Sequence, residues 1–226
     1  MISFKGAQFP KDVILHAVYF YLRYGVSYRD LEEILAERGV VVDHATLNRW
    51  VVKYAPLIAI AAQRRKKPTA VSWRMDETYV KVRGVWTYLY RAVDRDGQTL
   101  DFMVSEQRDT TAAKQFFAQA LSNNGIPQRI VIDKSRSNAA GIKAINKIFK
   151  RLGTCVKITT VQSKYLNNMV EQDHRFIKRR IRLMLGFKSF HSAAATLDGI
   201  EVAQMIRKGQ IDSTESGFRQ FEEFAG

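Results

Sequence analysis

Apolar positions along the first sixty residues recur with a helical period. After Pro10 they fall at Val13, Ile14, Ala17, Val18, Tyr21 and Leu22, one stripe of an amphipathic helix that ends at Gly25. Ser27 is a good N-cap for a second helix, Tyr28 to Arg38, with Leu31, Ile34 and Leu35 on one face and Gly39 as its stop. Asp43 caps a third, with Leu47, Trp50 and Val51 inward and His44, Thr46, Asn48, Arg49 and Lys53 outward. Helix, helix, short turn with Gly, helix is the order of a helix-turn-helix, although a plain three-helix bundle has the same pattern. Gln63 to Thr69, with four consecutive cations ahead of Pro68, reads as a connector and a domain boundary.

Beyond it the period changes to two. Ser72 to Val82 alternates, Arg83 and Gly84 form a tight turn, and Trp86 to Asp94 returns with Trp86, Tyr88 and Tyr90 on one face. A second turn at Gly97 leads to a third strand, Thr99 to Ser105, completing an antiparallel meander. A helix follows from Thr110 to Leu121, then a short strand, Arg129 to Asp133, apolar at its centre as a buried parallel strand is. A helix from Ala139 to Leu152, a strand from Val156 to Val161 and a long basic helix from Met169 to Leu185 complete the run. Three antiparallel strands, helix, strand, helix, strand, helix is the order of the ribonuclease H-like α/β fold. The rest reads as one more helix, Ser192 to Arg207, and a mixed tail in which Phe218, Phe221 and Phe224 have helical spacing. The expected organisation is a helix-turn-helix domain over 1–62, a basic linker over 63–72, the α/β catalytic domain over 73–190 and a C-terminal helix and tail over 191–226.

Composition sharpens this picture. With 226 residues and 46% apolar residues, the chain has enough material for a core. Its formal charge of +14 and pI near 10.0 make a polyanion the leading partner, nucleic acid ahead of an anionic membrane surface. The single Cys155 excludes an intramolecular disulfide and a cysteine-rich zinc site. No apolar run is long enough to span a membrane and no signal peptide is apparent, so a cytoplasmic protein is expected.

The charge is concentrated. Between Arg129 and Arg182, fourteen of seventeen charged residues are basic, and the three acids are Asp133, Glu171 and Asp173. Acids in so basic a segment are ion-pair partners or metal ligands. Asp76 in the first strand and Asp133 at the end of the fourth belong to strands that neighbour each other in this fold, and Glu171, near the start of the last helix of the α/β run, reaches the same edge. Strand alternation sets Asp76 and Glu77 on opposite faces, so that only one of the two is expected to point at a given site. Three such carboxylates suit two Mg²⁺ ions, with Mn²⁺ as a substitute, holding the attacking and leaving oxygens of an in-line displacement at phosphorus. Glu171, His174 and Lys178 share one helix face; His174 and Lys178 would position a phosphate, with Arg175, Arg179 and Arg182 beside them for backbone contacts, while Asp173 points elsewhere.

Those residues sit within longer matching stretches: Tyr-Arg-Asp-Leu-Glu-Glu (28–33), Asp-His-Ala-Thr-Leu-Asn-Arg-Trp-Val (43–51) and Trp-Arg-Met-Asp-Glu-Thr-Tyr-Val-Lys-Val-Arg-Gly (73–84). They continue as Tyr-Leu-Asn-Asn-Met-Val-Glu-Gln-Asp-His-Arg (165–175), Gly-Phe-Lys-Ser-Phe-His-Ser-Ala-Ala-Ala-Thr (186–196), Gly-Ile-Glu-Val (199–202) and Ile-Arg-Lys-Gly-Gln (206–210). Over essentially its whole length the chain resembles bacterial insertion-sequence transposases of the IS6 family, of the DDE type. The resemblance implies Asp76, Asp133 and Glu171 as the triad, with Lys178 as the basic residue seven positions on. It also implies Mg²⁺-dependent cleavage or strand transfer at the ends of an element, and a homodimer or larger complex on double-stranded DNA. Between Asp133 and Glu171 lie 37 residues, a few more than is usual in the family. The sequence is also compatible with a DNA-binding regulator that keeps the fold without the chemistry, and with a structure-specific nuclease on the same fold.

Overall fold

The computed structural model describes residues 2–163, 168–184, 186–215 and 217–226. The start of the 165–175 motif and Leu185, the expected end of the basic helix, lie outside the described residues. The chain divides into two compact units, Met1–Lys67 with Ile177–Gly226, and Pro68–Phe176.

The first unit is helical. Its α1 spans Lys11–Arg23 and buries Ile14, Ala17, Val18, Tyr21 and Leu22 of the expected stripe, with Leu15 and Tyr19 besides, while Val13 is only half-buried. The second helix, α2, spans Tyr28–Ala36 and starts with a reciprocal capping box: Ser27 Oγ accepts from the Asp30 N–H, and Asp30 accepts from the Ser27 N–H. The third, α3, spans His44–Arg64; the Asp43 carboxylate accepts from the N–H groups of Ala45 and Thr46 in the first turn, where helix donors have no carbonyl four residues back.

The second unit is built on a sheet. β1 (Ser72–Val82), β2 (Val85–Asp94) and β3 (Thr99–Ser105) form the antiparallel meander. Arg83 and Gly84 both take positive φ, 50° and 80°, as a two-residue hairpin loop requires if its twist is to match the strands. After α4 (Thr110–Asn124), β4 (Arg129–Ile132) returns parallel to β1; after α5 (Arg136–Arg151), β5 (Thr159–Gln162) adds parallel to β4. The sheet order is β3-β2-β1-β4-β5. One face carries the core: Trp73 and Met75 of β1, Tyr90 of β2 and Ile130 and Ile132 of β4 pack with Phe116 and Phe117 of α4 and Ile142 of α5. The final helix of the run, α6, spans Asn168–Leu183.

The C-terminal elements complete the helical unit. α7 (Phe190–Arg207) is buried along most of its length, so it is a central helix of this unit. α8 (Phe218–Glu223) sets Phe218 and Phe221 against Tyr19 of α1, and Phe224 is buried beyond it. The aromatic spacing of the tail thus serves packing within its own unit.

Candidate active site

Where β1 runs on past its neighbour, the sheet presents its carboxylates. β1 and β4 are paired from Ser72/Arg129 to Arg74/Val131, and the same register carried two residues further sets Asp133 opposite Asp76. One oxygen each from Asp76, Glu77 and Asp133 lies within 4.8 Å of the others. Glu77 was not expected here. Alternation does hold for the backbone: Asp76 pairs with Arg91 on one face of the sheet, and Glu77 pairs with Tyr90 on the other, beside α5. Both side chains still reach the cluster because β4 stops at Ile132, leaving this flank of β1 open for Asp133 to be approached from either face.

The acids are held by specific partners. Asn138, in the first turn of α5, donates from Nδ2 to Glu77 Oε2 at 2.9 Å. Arg108, just ahead of α4, lies 3.4 Å from Glu77 Oε1 and 4.0 Å from Asp133 Oδ2. Asp133 Oδ1 accepts from the Ser135 N–H at 2.9 Å, and Ser135 in turn caps α5. Burial raises the pKa of Glu77; Asn138 and Arg108 pull it down, and the charges of Asp133 and Asp76 push it up. Two unit negative charges at the cluster's separation repel by about 3–4 kcal/mol at an effective dielectric of roughly 20, a repulsion that a cation among the carboxylates offsets. Three convergent carboxylate oxygens are the donor set of a hard divalent cation.

The other face of β1 receives α6. Arg91 of β2, fully buried, binds Asp173 Oδ2 through Nη2 at 3.0 Å and also donates to Thr99 Oγ1. His174, the next residue, has Nε2 at 3.6 Å from Asp76 Oδ2; its side chain is 7% exposed and neither ring nitrogen has a hydrogen-bond partner. Two successive residues of α6 therefore dock on the cross-strand pair Asp76 and Arg91. Asp173 does point elsewhere than Glu171, and its partner is this guanidinium. Glu171 is exposed in the first turn of α6 and does not join the acidic cluster among the described residues. Arg175, Lys178, Arg179 and Arg182 are exposed on the same helix.

In the helical unit, the outward residues of α3 are partly engaged. His44 Nδ1 and its backbone N–H both face Glu32 Oε2 at 3.1 Å, so an acid from α2 stands beside it. Arg49 donates to Thr46 Oγ1, which donates to the Asp43 cap. Lys53 lies over the Tyr54 ring and is exposed; Asn48 is half-buried.

A sheet ordered β3-β2-β1-β4-β5, with one acid in mid-β1 and another just after β4, is the frame of a ribonuclease H-like phosphoryl-transfer enzyme, and the family model of the IS240-type DDE domain matches residues 70–210. The class is that of the DDE transposases, enzymes of DNA cleavage and strand transfer. Among its relatives, the transposase for insertion sequence-like element IS431mec of Staphylococcus aureus strain N315 is 44% identical over 209 residues, 92% of this chain and 90% of that one. The transposase for insertion sequence element IS257 in transposon Tn4003, also from S. aureus, is 43% identical over the same shares. The chain belongs to the IS6 family of insertion-sequence transposases. Among solved structures, the HTLV-2 integrase catalytic core domain in complex with magnesium covers 70% of this chain and 99% of its own, at 17% identity and a TM-score of 0.46. No helix among the described residues is long and apolar enough to cross a membrane.

Proposed function

We propose that this transposase cuts and joins DNA at the ends of its element with Asp76, Asp133 and Glu171 as catalytic carboxylates. The observation that carries the reading is the meeting of Asp76 and Asp133 just beyond the end of the β1–β4 pairing, with His174 of α6 beside Asp76. Glu171 lies one turn before His174 on the same helix face, about 4.5 Å along the axis, and would complete the set from above. The three carboxylates would hold two Mg²⁺ ions, for which Mn²⁺ can stand in; an oxygen-only donor set with room for water and phosphate suits a hard cation that keeps few protein ligands. The chemistry such a pair supplies is Lewis-acid stabilisation of the oxygens that attack and leave phosphorus.

The protein's own residues do the rest. His174 and Lys178 orient a phosphate, and Arg175, Arg179 and Arg182 hold the flanking backbone, where cations contribute affinity without reading sequence. Residues 1–62 act as the helix-turn-helix domain, with His44, Thr46, Asn48, Arg49 and Lys53 of α3 facing the terminal inverted repeats in double-stranded DNA. Residues 63–72 link it to the catalytic domain, 73–190, with the helix and tail of 191–226 following. Pairing two element ends calls for a homodimer or a larger assembly.

Incubation of the purified protein with a labelled element-end duplex and Mg²⁺ tests the assignment. Nicked and strand-transfer products are expected from the wild type, with at least a 100-fold loss in Asp76→Asn, Asp133→Asn and Glu171→Gln. The position of Glu171 outside the acidic cluster favours a second reading, a DNA-binding regulator without chemistry. Specific binding of the duplex with no metal-dependent product from the wild type would establish that reading instead.

A further inference from the structure

The 37 residues between Asp133 and Glu171 contain eight Lys or Arg and not one acid. The sheet unit gathers four of these cations on one side. Lys143, Lys147 and Lys150 stand at i, i+4 and i+7 of α5 and so share a face, and Lys157 approaches from the segment that leads into β5. Together they line a groove of about 1070 Å³ between α5 and β5, and all four are exposed. Among the described residues no acid pairs with any of them. The groove is a built feature: the Asn146 amide of α5 donates to the Ile158 carbonyl and accepts from the Ile158 N–H, both at 2.9 Å, tying the β5 approach to the helix.

We propose that this groove binds the phosphate backbone of duplex DNA without regard to sequence, and that the duplex it takes is the target into which an end is joined. Three observations carry the inference. A surface that only keeps a protein soluble mixes both signs, whereas this one is purely cationic. From Lys143 to Lys150 is about 10 Å along the helix, close to three successive phosphate spacings on one strand at roughly 3.4 Å each. The groove also leads to the candidate active site: Gln162, which lines it, pairs with Ile132, the residue before Asp133. Lysine ammonium groups are point charges on flexible stems, suited to phosphates and unsuited to bidentate recognition of bases, so the contact carries no sequence information. The outer edge of β5 has no strand neighbour among the described residues, and lysines also guard such edges against pairing with other chains. Edge protection does not account for a row that runs along α5.

The role as target site rests on the transposase chemistry proposed above, but the binding is measured without it. In the full-length protein, affinity for a duplex lacking element ends is followed by fluorescence anisotropy over a range of salt concentrations, in the absence of divalent metal. Lys143→Glu/Lys147→Glu/Lys150→Glu is expected to weaken binding at least 10-fold near 0.1 M salt and to flatten the log–log salt slope by about 3. A second measurement needs no variant. Cys155, the sole cysteine, is exposed and lines the groove, so saturating duplex is expected to slow its alkylation by a maleimide several-fold. An unchanged salt slope, or a Cys155 that reacts equally fast with and without duplex, would overturn the inference. Protection by an acidic peptide and not by duplex would also overturn it, in favour of a protein partner. Absence of strand-transfer products from the wild type counts against the catalytic reading alone and leaves these two binding results standing.

Discussion

Glu77 and Arg108 define the candidate site as much as the two aspartates do. The guanidinium stands between Glu77 and Asp133 and offsets part of their repulsion. Arg108→Ala should therefore lower the stability of the metal-free protein by about 1 kcal/mol, a modest figure because the side chain is partly solvated. Added Mg²⁺ should restore a larger share of Tm in the variant than it adds to the wild type, since ligand binding stabilises the state that holds it. Thermal melts in EDTA and in Mg²⁺ check this; an equal Mg²⁺ gain in both proteins would remove Arg108 from the site. Asp76 and Asp133 were legible in the sequence because each sits on a strand whose place in the fold follows from element order. Glu77 was not, because alternation assigns faces and is silent about where a neighbouring strand stops. Arg108 and Asn138 carry no local signal at all, being 31 and 61 residues from the acid they hold.

The element that most needs support is α6. Its run Glu-Gln-Asp-His-Arg reads as an amphipathic basic helix, and the sequence assigns the role of Asp173 to no partner. The structure gives it the buried guanidinium of Arg91, which faces Asp76 across the β1–β2 ladder. Removal of one member of such a pair leaves a desolvated charge behind. Asp173→Ala is expected to lose about 3 kcal/mol in urea titration, and Asp173→Asn less, because the amide oxygen still accepts a hydrogen bond. A loss under about 0.5 kcal/mol in Asp173→Ala would mean that Thr99 and its surroundings suffice for Arg91. Elsewhere the elements follow the hydrophobic pattern closely, β1 and β3 to the residue. β5 is the instructive exception. It begins at Thr159 although its apolar run starts at Val156, because Asn146 occupies both the N–H and the carbonyl of Ile158, groups a ladder would need.

At the scale of the whole molecule, the helical unit is assembled from both ends of the chain. The sequence read α7 as the start of a C-terminal appendage, beginning at Ser192; the helix starts two residues earlier, at Phe190 behind its N-cap Ser189, and its partners, more than a hundred residues away, carry no local signal. A Cβ on Gly199 of α7 would come within 2.3 Å of a Leu22 methyl of α1 and 3.0 Å of Ala55 of α3. Gly199→Ala should thus destabilise by about 1–3 kcal/mol, although alanine is the better helix former by roughly 1 kcal/mol. Denaturant unfolding measures the sign, and a stabilised variant would show that the helices have room to part. The order of synthesis then acquires a meaning. Residues 68–176 leave the ribosome while Met1–Lys67 still waits for Ile177–Gly226, so the sheet that bears the carboxylates is finished before the helical unit can close. A message cut short ahead of α7 would yield a protein with the acidic cluster of a transposase and an unfinished helical unit.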